Sequence, residues 1–242
     1  MAFSRLGLGR TLAIVALVLS AVAVLLAIGA GPGTRFGLWG FRTGLGLLLG
    51  VLVGGAGGVL LGTIAALLGG ARTMSVAALL LGVVTVAVPL SFALRGRSVP
   101  MIHDITTDTD DPPPFEAVLS ARGPDANPAV YEGPAIAAQQ RLAYPDLHGL
   151  VRRDSPAQAF DRALATARAF GWTIVAADAA RHRIEATDTT FWFGFKDDVV
   201  IRIRPDGAGS RVDVRSLSRV GRSDVGTNAQ RIRRFLDALQ KS

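Results

Sequence analysis

The sequence predicts three N-terminal transmembrane α-helices followed by a C-terminal α+β domain, ordered as helix, four-stranded antiparallel sheet, helix. Three observations carry this. Half of the 242 residues are hydrophobic and the mean hydropathy is +0.38, with the apolar excess concentrated in the first hundred residues. Further on, apolar and polar residues alternate in short runs with the period of half-exposed strands. On either side of those runs, two segments place apolar residues at helical spacing. The chain therefore divides into an anchor over 1–97, a proline-rich acidic wrapping segment over 98–153, and the α+β domain over 154–242, around which that segment is expected to run.

Residues 11–30, 44–69 and 74–94 contain no charged side chain. Each reaches the roughly 20 residues a helix needs to cross a bilayer. Arg5 and Arg10 before the first run also suit a signal peptide, but the apolar run exceeds the roughly 7–15 residues of such a signal and two more spans come after it. In the second span Gly46, Gly50, Gly54, Gly58 and Gly62 recur at every fourth residue. Such a stripe lets another helix backbone approach closely, either the first or third span of the same chain or, across a homo-oligomer or partner-helix seam, another chain. Pro89 predicts a kink in the third span. No span carries an acid, Lys, Arg or His, so the usual markers of an ion path are missing and a transporter is disfavoured.

The formal charge of +7 would suit a nucleic-acid binder, but its distribution argues otherwise. Arg5, Arg10, Arg35, Arg42, Arg72, Arg95 and Arg97 are the only ionisable side chains before Ser98 and account for the whole excess. They mark helix ends and meet membrane lipids. From Ser98 onward, 19 basic residues balance 19 acidic ones. That half is itself polarised: residues 98–150 carry 2 basic and 8 acidic side chains, and residues 151–242 carry 17 basic and 11 acidic. The acidic part is expected to lie against the basic part.

Eight of the twelve prolines fall in 98–150, where little periodicity is present apart from a helical piece at 135–142. His103, Asp104, Asp108, Asp110 and Asp111 are the nearest approach to a metal site. They lack the alternating ligands, central glycine and distal glutamate of a calcium loop, and they read instead as an acidic loop facing the basic half, with no metal or other cofactor assigned. The absence of cysteine excludes disulfides and thiolate chemistry.

In the α+β domain, Ser155 and Pro156 open a helix that buries Phe160, Leu164, Ala167 and Phe170 and stops at Gly171. Residues 172–177 and 182–187 predict one hairpin. Val199, Ile201 and Ile203 alternate against Val212, Val214, Ser216 and Ser218 in a second. Thr227 and Gln230 have capping-box spacing ahead of a helix with Ile232, Phe235, Leu236 and Leu239 on one face. With both helices on one face of the sheet, the other presents Arg181, Arg183, Glu185, Arg202, Arg204, Arg211, Asp213 and Arg215, as a water-facing surface of ion pairs or a docking face for the acidic segment or anionic lipid. His182 is expected on the core side of its strand.

Phe195, Asp197 and Asp198, followed by Arg215, Ser216, Ser218, Arg219, Gly221, Ser223, Asp224, Gly226, Asn228, Arg231 and Ile232, stand at fixed spacing. This pattern resembles the signature of a family known as the domain of unknown function number 1499, found in bacteria and plastids, over residue 102 to the end. Many relatives open that domain with a cysteine-containing stretch, where this chain has Ile102-His-Asp-Ile-Thr-Thr-Asp. Any role resting on those cysteines is absent here. The resemblance implies no activity. It does imply a bacterial envelope protein, since such relatives look exported or lipid-anchored. Together with the positive N-terminal flank, this places the chain as a multi-pass protein of the bacterial inner (plasma) membrane with its soluble domain periplasmic, although the arginine count on the two sides is close to even.

Three functions remain open. The first is a binding or scaffolding module of the cell envelope. The second is recognition of an anion or lipid headgroup at the 219–228 loop, where Arg219 and Arg222 approach a helix N-terminus. The third and weakest is a hydrolase using the paired aspartates, because no catalytic motif is present and only His103, His148 and His182 supply imidazoles. A structural account competes with the second, in which Asp197 and Asp198 clamp Arg215 and Arg219, with Ser216, Ser218, Asp224, Asn228 and Arg231 around them.

Overall fold

A computed structural model describes residues 2–242, with the side chains of residues 2–4 outside the description. The chain forms two compact units, Met1–Arg95 with Phe191–Gly194, and Gly96–Thr190 with Phe195–Ser242.

The first unit contains α1 (Ala2–Arg35), α2 (Phe41–Leu67) and α3 (Arg72–Arg97). All three are long and apolar enough to cross a membrane, and their outward faces carry Leu, Val and Ile side chains such as Leu25, Leu49, Val53 and Val84. Gly54 and Gly58 lie against Leu19, Ala16 and Ser20 of α1, and Gly50 against Leu26. Gly62 has turned toward Ser75 and Ala78 of α3, whereas Gly46 faces open space. The cause is geometric: four residues advance an α-helix by about 40° beyond a full turn, so a stripe of every fourth residue rotates from one neighbour to the next. A second close approach joins Gly55 and Gly82, where either Cβ would crowd the other helix's backbone. Between α1 and α3, the buried Ser20 hydroxyl donates to the Ala78 carbonyl at 2.9 Å.

The second unit is an antiparallel sheet of six strands, where the sequence predicts four. Strands β3 (Thr173–Asp178), β4 (Arg183–Thr189), β5 (Lys196–Asp206) and β6 (Gly209–Ser218) are the expected two hairpins, in the order β6-β5-β4-β3. The additional strands, β1 (Asp104–Thr106) and β2 (Leu150–Arg152), pair end to end along the outer edge of β6. Three residues are too few to show a period of two, so neither strand is visible before its partner edge exists. Together they cover an edge that would otherwise leave N–H and C=O groups unpaired. The predicted helical piece is α4 (Pro134–Ala143), whose Gln140 side chain exchanges two hydrogen bonds with the backbone of Thr106 in β1.

Helices α5 (Pro156–Ala169) and α6 (Thr227–Lys241) cover one face of the sheet. Ser155 and Gln158 close a capping box at the start of α5. Phe160, Ala163 and Ala167 meet Ile232, Phe235 and Leu239 over Ile184, Val199, Ile201 and Val214. Trp172 stacks on Phe235 with ring centroids 5.2 Å apart. Phe170 departs from its expected burial: it sits at the C-cap of α5, 42% exposed, on the flank of that stack. His182 departs too, lying in the β3–β4 turn at φ +46°, half-buried and edge-on to Phe160.

The other face is not the water-facing surface of the first expectation. Residues 107–133 run across it, so Glu185, Asp213 and Arg215 are at most 2% exposed. Phe115 and Val118 pack there on Val200 and Leu217 as a second small core.

Candidate functional site

The signature residues converge on one end of the sheet, but strand alternation divides them between its two faces. Asp197 and Asp198 are chain neighbours, so their carboxylates point to opposite sides.

On the helix-covered face, the Asp197 carboxylate accepts from Arg231 Nη2 at 2.5 Å, and Arg231 Nε donates to Asp188 at 2.7 Å. Arg231 Nη1 also reaches the Ser216 hydroxyl and the Asn228 side-chain oxygen. Asn228 accepts from Ser216 at 2.7 Å and donates through Nδ2 to the His103 carbonyl and the Ser218 hydroxyl. Register explains the convergence: Asp197 pairs with Ser218 and Asp188 across β5, and α6 lowers Asn228 and Arg231 onto that row. Each polar side chain here finds a partner, which offsets its removal from water.

On the opposite face, the fully buried Asp198 carboxylate accepts from Arg219 at 2.8 and 3.0 Å, from Thr187 at 2.8 Å and from Arg122. Arg219 also donates to the Ala121 carbonyl at 2.6 Å. Asn127 Nδ2 donates to the carbonyls of Ser218 and Gly221. This cluster therefore bolts the crossing segment to the sheet.

Arg215 does not join either aspartate, as the sequence suggested it would. It lies farther along β6, where Nε and Nη2 donate to Asp104 of β1 at 2.9 and 2.7 Å, and Nη1 and Nη2 reach the carbonyls of Pro113 and Ala129. Its guanidinium lies over the Phe115 ring at 4.8 Å and the Tyr131 ring at 5.4 Å. The two-residue step from Arg215 to Leu217 on one strand is enough to move it out of reach of Asp198, which pairs with Leu217.

The acidic group weighed as a metal site is taken apart by arginines. Asp108 and Asp111 accept from Arg202 and Arg204, Asp110 pairs with Arg141, and Asp104 pairs with Arg215. Asp213 accepts from Arg204 and Arg211, and Glu185 accepts from Arg183 and from the backbone N–H groups of Glu116 and Val118. Burial alone would raise the Asp108 carboxyl, but the Asp111 N–H and Arg204 overcome it and hold the group below its ordinary 3.8.

In the 219–228 loop, Asp224 fills the N-terminus of α6: its carboxylate accepts from the N–H groups of Gly226 at 2.8 Å and Asn228 at 2.7 Å. Gly226, at φ +79°, is the cap residue, so the predicted Thr227–Gln230 capping box does not form. Burial pushes the Asp224 carboxyl up, against the pull of the two N–H groups. Arg222 is exposed.

Sequence reading missed Asp104, Arg122, Asn127 and Asp188 as members of these clusters. The opposed charges of 98–150 and 151–242 were the one available signal, and they identified the segment rather than the residues. A cleft of about 330 Å³ opens beside Arg215, lined by Pro112, Pro114, Phe115, Leu119, Val130 and Tyr131. Among the described residues the buried Tyr131 hydroxyl finds no hydrogen-bond partner, and burial raises its pKa to about 12.

Three long apolar helices and an arginine-clamped α+β layer define a membrane protein with a small folded domain. The chain belongs to the family described as "Protein of unknown function (DUF1499)", whose model matches residues 104–239. The match opens on Asp104, the partner of Arg215, and closes on Leu239, the last core residue of α6. A search of curated proteins finds no match.

Proposed function

We propose that the chain is a multi-pass protein of the bacterial inner membrane whose periplasmic α+β domain is a binding or scaffolding module of the cell envelope. The observation that carries this reading is the internal pairing of the signature carboxylates: Asp197 with Arg231, Asp198 with Arg122 and Arg219, and Asp224 with the N-terminus of α6. A buried carboxylate whose oxygens are already taken by guanidinium donors is not placed to reach a substrate proton, and a helix N-terminus already capped by an acid has spent the amides that would hold an external anion. These residues support a module whose rigid shape is its product. The positive N-terminal flank supports the orientation, as does the exported or lipid-anchored look of relatives that the resemblance implies.

The test is a comparison of full-length Arg219→Ala and the pair Arg219→Ala, Arg222→Ala with the parent chain in detergent. The module reading expects Arg219→Ala to lower the melting temperature, with no saturable phosphate binding in the parent. Saturable phosphate binding that the double substitution abolishes, without a change in melting, would transfer the function to anion recognition at 219–228.

A further inference from the structure

We propose that the tip between β4 and β5, residues 191–193, is a lipid-interface anchor that rests in the headgroup layer beside the first two helices. The proposal rests on the membrane reading of α1–α3. The tip is a short, closed loop: Thr190 N–H donates to the Phe195 carbonyl at 2.8 Å, and Phe195 N–H donates to the Thr190 hydroxyl at 2.9 Å. Above that neck stand Phe191-Trp192-Phe193-Gly194, and these four residues belong to the helical unit.

A loop tip in water is ordinarily small and polar, since exposed rings gain nothing there. Here Phe191 is 85% exposed and Trp192 is 43% exposed. Their level along the helices is set by two contacts. Arg35 Nη1, in the last turn of α1, donates to the Phe191 carbonyl at 2.7 Å, and the Trp192 indole occupies the space a Cβ at Gly31 would need. Phe36 and Leu38, both more than 70% exposed, and Trp39, whose indole N–H donates to the Ala30 carbonyl at 3.3 Å, lie at the same end.

Helix length says what surrounds that end. The apolar helix Arg5–Arg35 has 31 residues. At 1.5 Å per residue it is about 46 Å long, beyond the roughly 30 Å of the hydrocarbon core and about the full depth of core plus headgroups. Its last turn therefore reaches the headgroup layer, where Trp and Arg collect because each joins an apolar body to a polar or charged end, and where the apolar Phe rings beside them can sink to the acyl boundary. The three rings of 191–193 extend that belt by a loop drawn from the α+β sequence.

The chain has no cysteine, so single labels can be introduced directly. Full-length Phe191→Cys, Val53→Cys and Leu142→Cys, each labelled with an environment-sensitive nitrobenzoxadiazole, are reconstituted into phosphatidylcholine vesicles containing lipid with a nitroxide at either the headgroup or the chain end. Val53 is 74% exposed on α2, and Leu142 is 87% exposed on α4. The expected result is strong quenching of position 191 by the headgroup nitroxide, at least threefold above position 142, with position 53 quenched best by the chain-end nitroxide. If 191 behaves like 142 while 53 is quenched, the anchor is overturned and the membrane reading stands. If 53 also behaves like 142, both fall. A label at 191 shielded from aqueous iodide yet untouched by either nitroxide would mean a protein contact instead, and would equally overturn the proposal.

Discussion

The Asp198 carboxylate and the Arg219 guanidinium meet at 2.8 Å across the β5–β6 pair, on the face of the sheet opposite to the one on which Asp197, one residue earlier, holds Arg231. A two-residue acidic step thus clamps both surfaces of the sheet at once. One clamp fastens α6, and the other fastens the segment that crosses the far face.

Removing Asp198 leaves Arg122 and Arg219 facing each other in a buried site. Asp198→Ala is expected to cost about 3–5 kcal/mol, the range for breaking a buried pair by deleting one partner. Denaturant unfolding in detergent, followed by the fluorescence of Trp172 in a chain that carries Trp39→Phe and Trp192→Phe, measures it. A loss under about 1 kcal/mol would show that water reaches the cluster.

Arg215 ties β1, Pro113 and Ala129 to β6. Substituting Arg215→Leu should free the crossing segment before the sheet melts, because Asp104 is left buried and unpaired. Limited proteolysis checks this: cleavage within 107–133 should speed up by tenfold or more, while the β4–β6 core stays resistant. Equal protection in both proteins would assign the segment's hold to Asp198 and Glu185 alone.

The Asp108 carboxyl is held below its ordinary 3.8 in the folded chain. A depressed acid binds fewer protons folded than unfolded, so its stabilisation is complete above 3.8 and is lost as pH falls through the lowered value. Asp108→Asn should therefore reduce the melting temperature at neutral pH and flatten the acid limb of the melting curve below pH about 4. A parallel downward shift at all pH values would contradict this assignment.

In the helical unit, a Cβ at Gly82 would meet the Gly55 carbonyl at 2.6 Å, whereas one at Gly46 meets nothing within 4 Å. Gly82→Ala should cost about 1–3 kcal/mol by forcing the helices apart. Gly46→Ala should be neutral or gain up to about 1 kcal/mol from helix propensity. Thermal melting of both variants in the same detergent decides the matter, and an unchanged Gly82→Ala would rule out a close α2–α3 crossing.

Much of this fold was legible before any coordinates, for reasons that are local. Apolar runs of span length, the Ser155-Pro156 start of α5, the period of two from Val199 to Val214 and the Ile232-Phe235-Leu239 stripe each state their own structure within one segment. The candidate site was legible in part of its membership, without Arg122, Asn127 and Asp188, and not in its arrangement. Asp197, Asp198, Arg219, Asn228 and Arg231 were all singled out, yet their partition into two clamps and the departure of Arg215 to Asp104 were not.

What the sequence alone determined is therefore every feature whose period fits inside one element: the three long apolar helices, the two hairpins, the apolar faces of the helices, and the opposed charges of the wrapping segment and the sheet. Only the tertiary structure decided which carboxylate meets which guanidinium, that three-residue β1 and β2 would add to β6, and that Asp224 rather than Thr227 would cap α6. The reason is that an ion pair between residues many positions apart depends on register and on side-chain direction, and neither exists until the strands have paired.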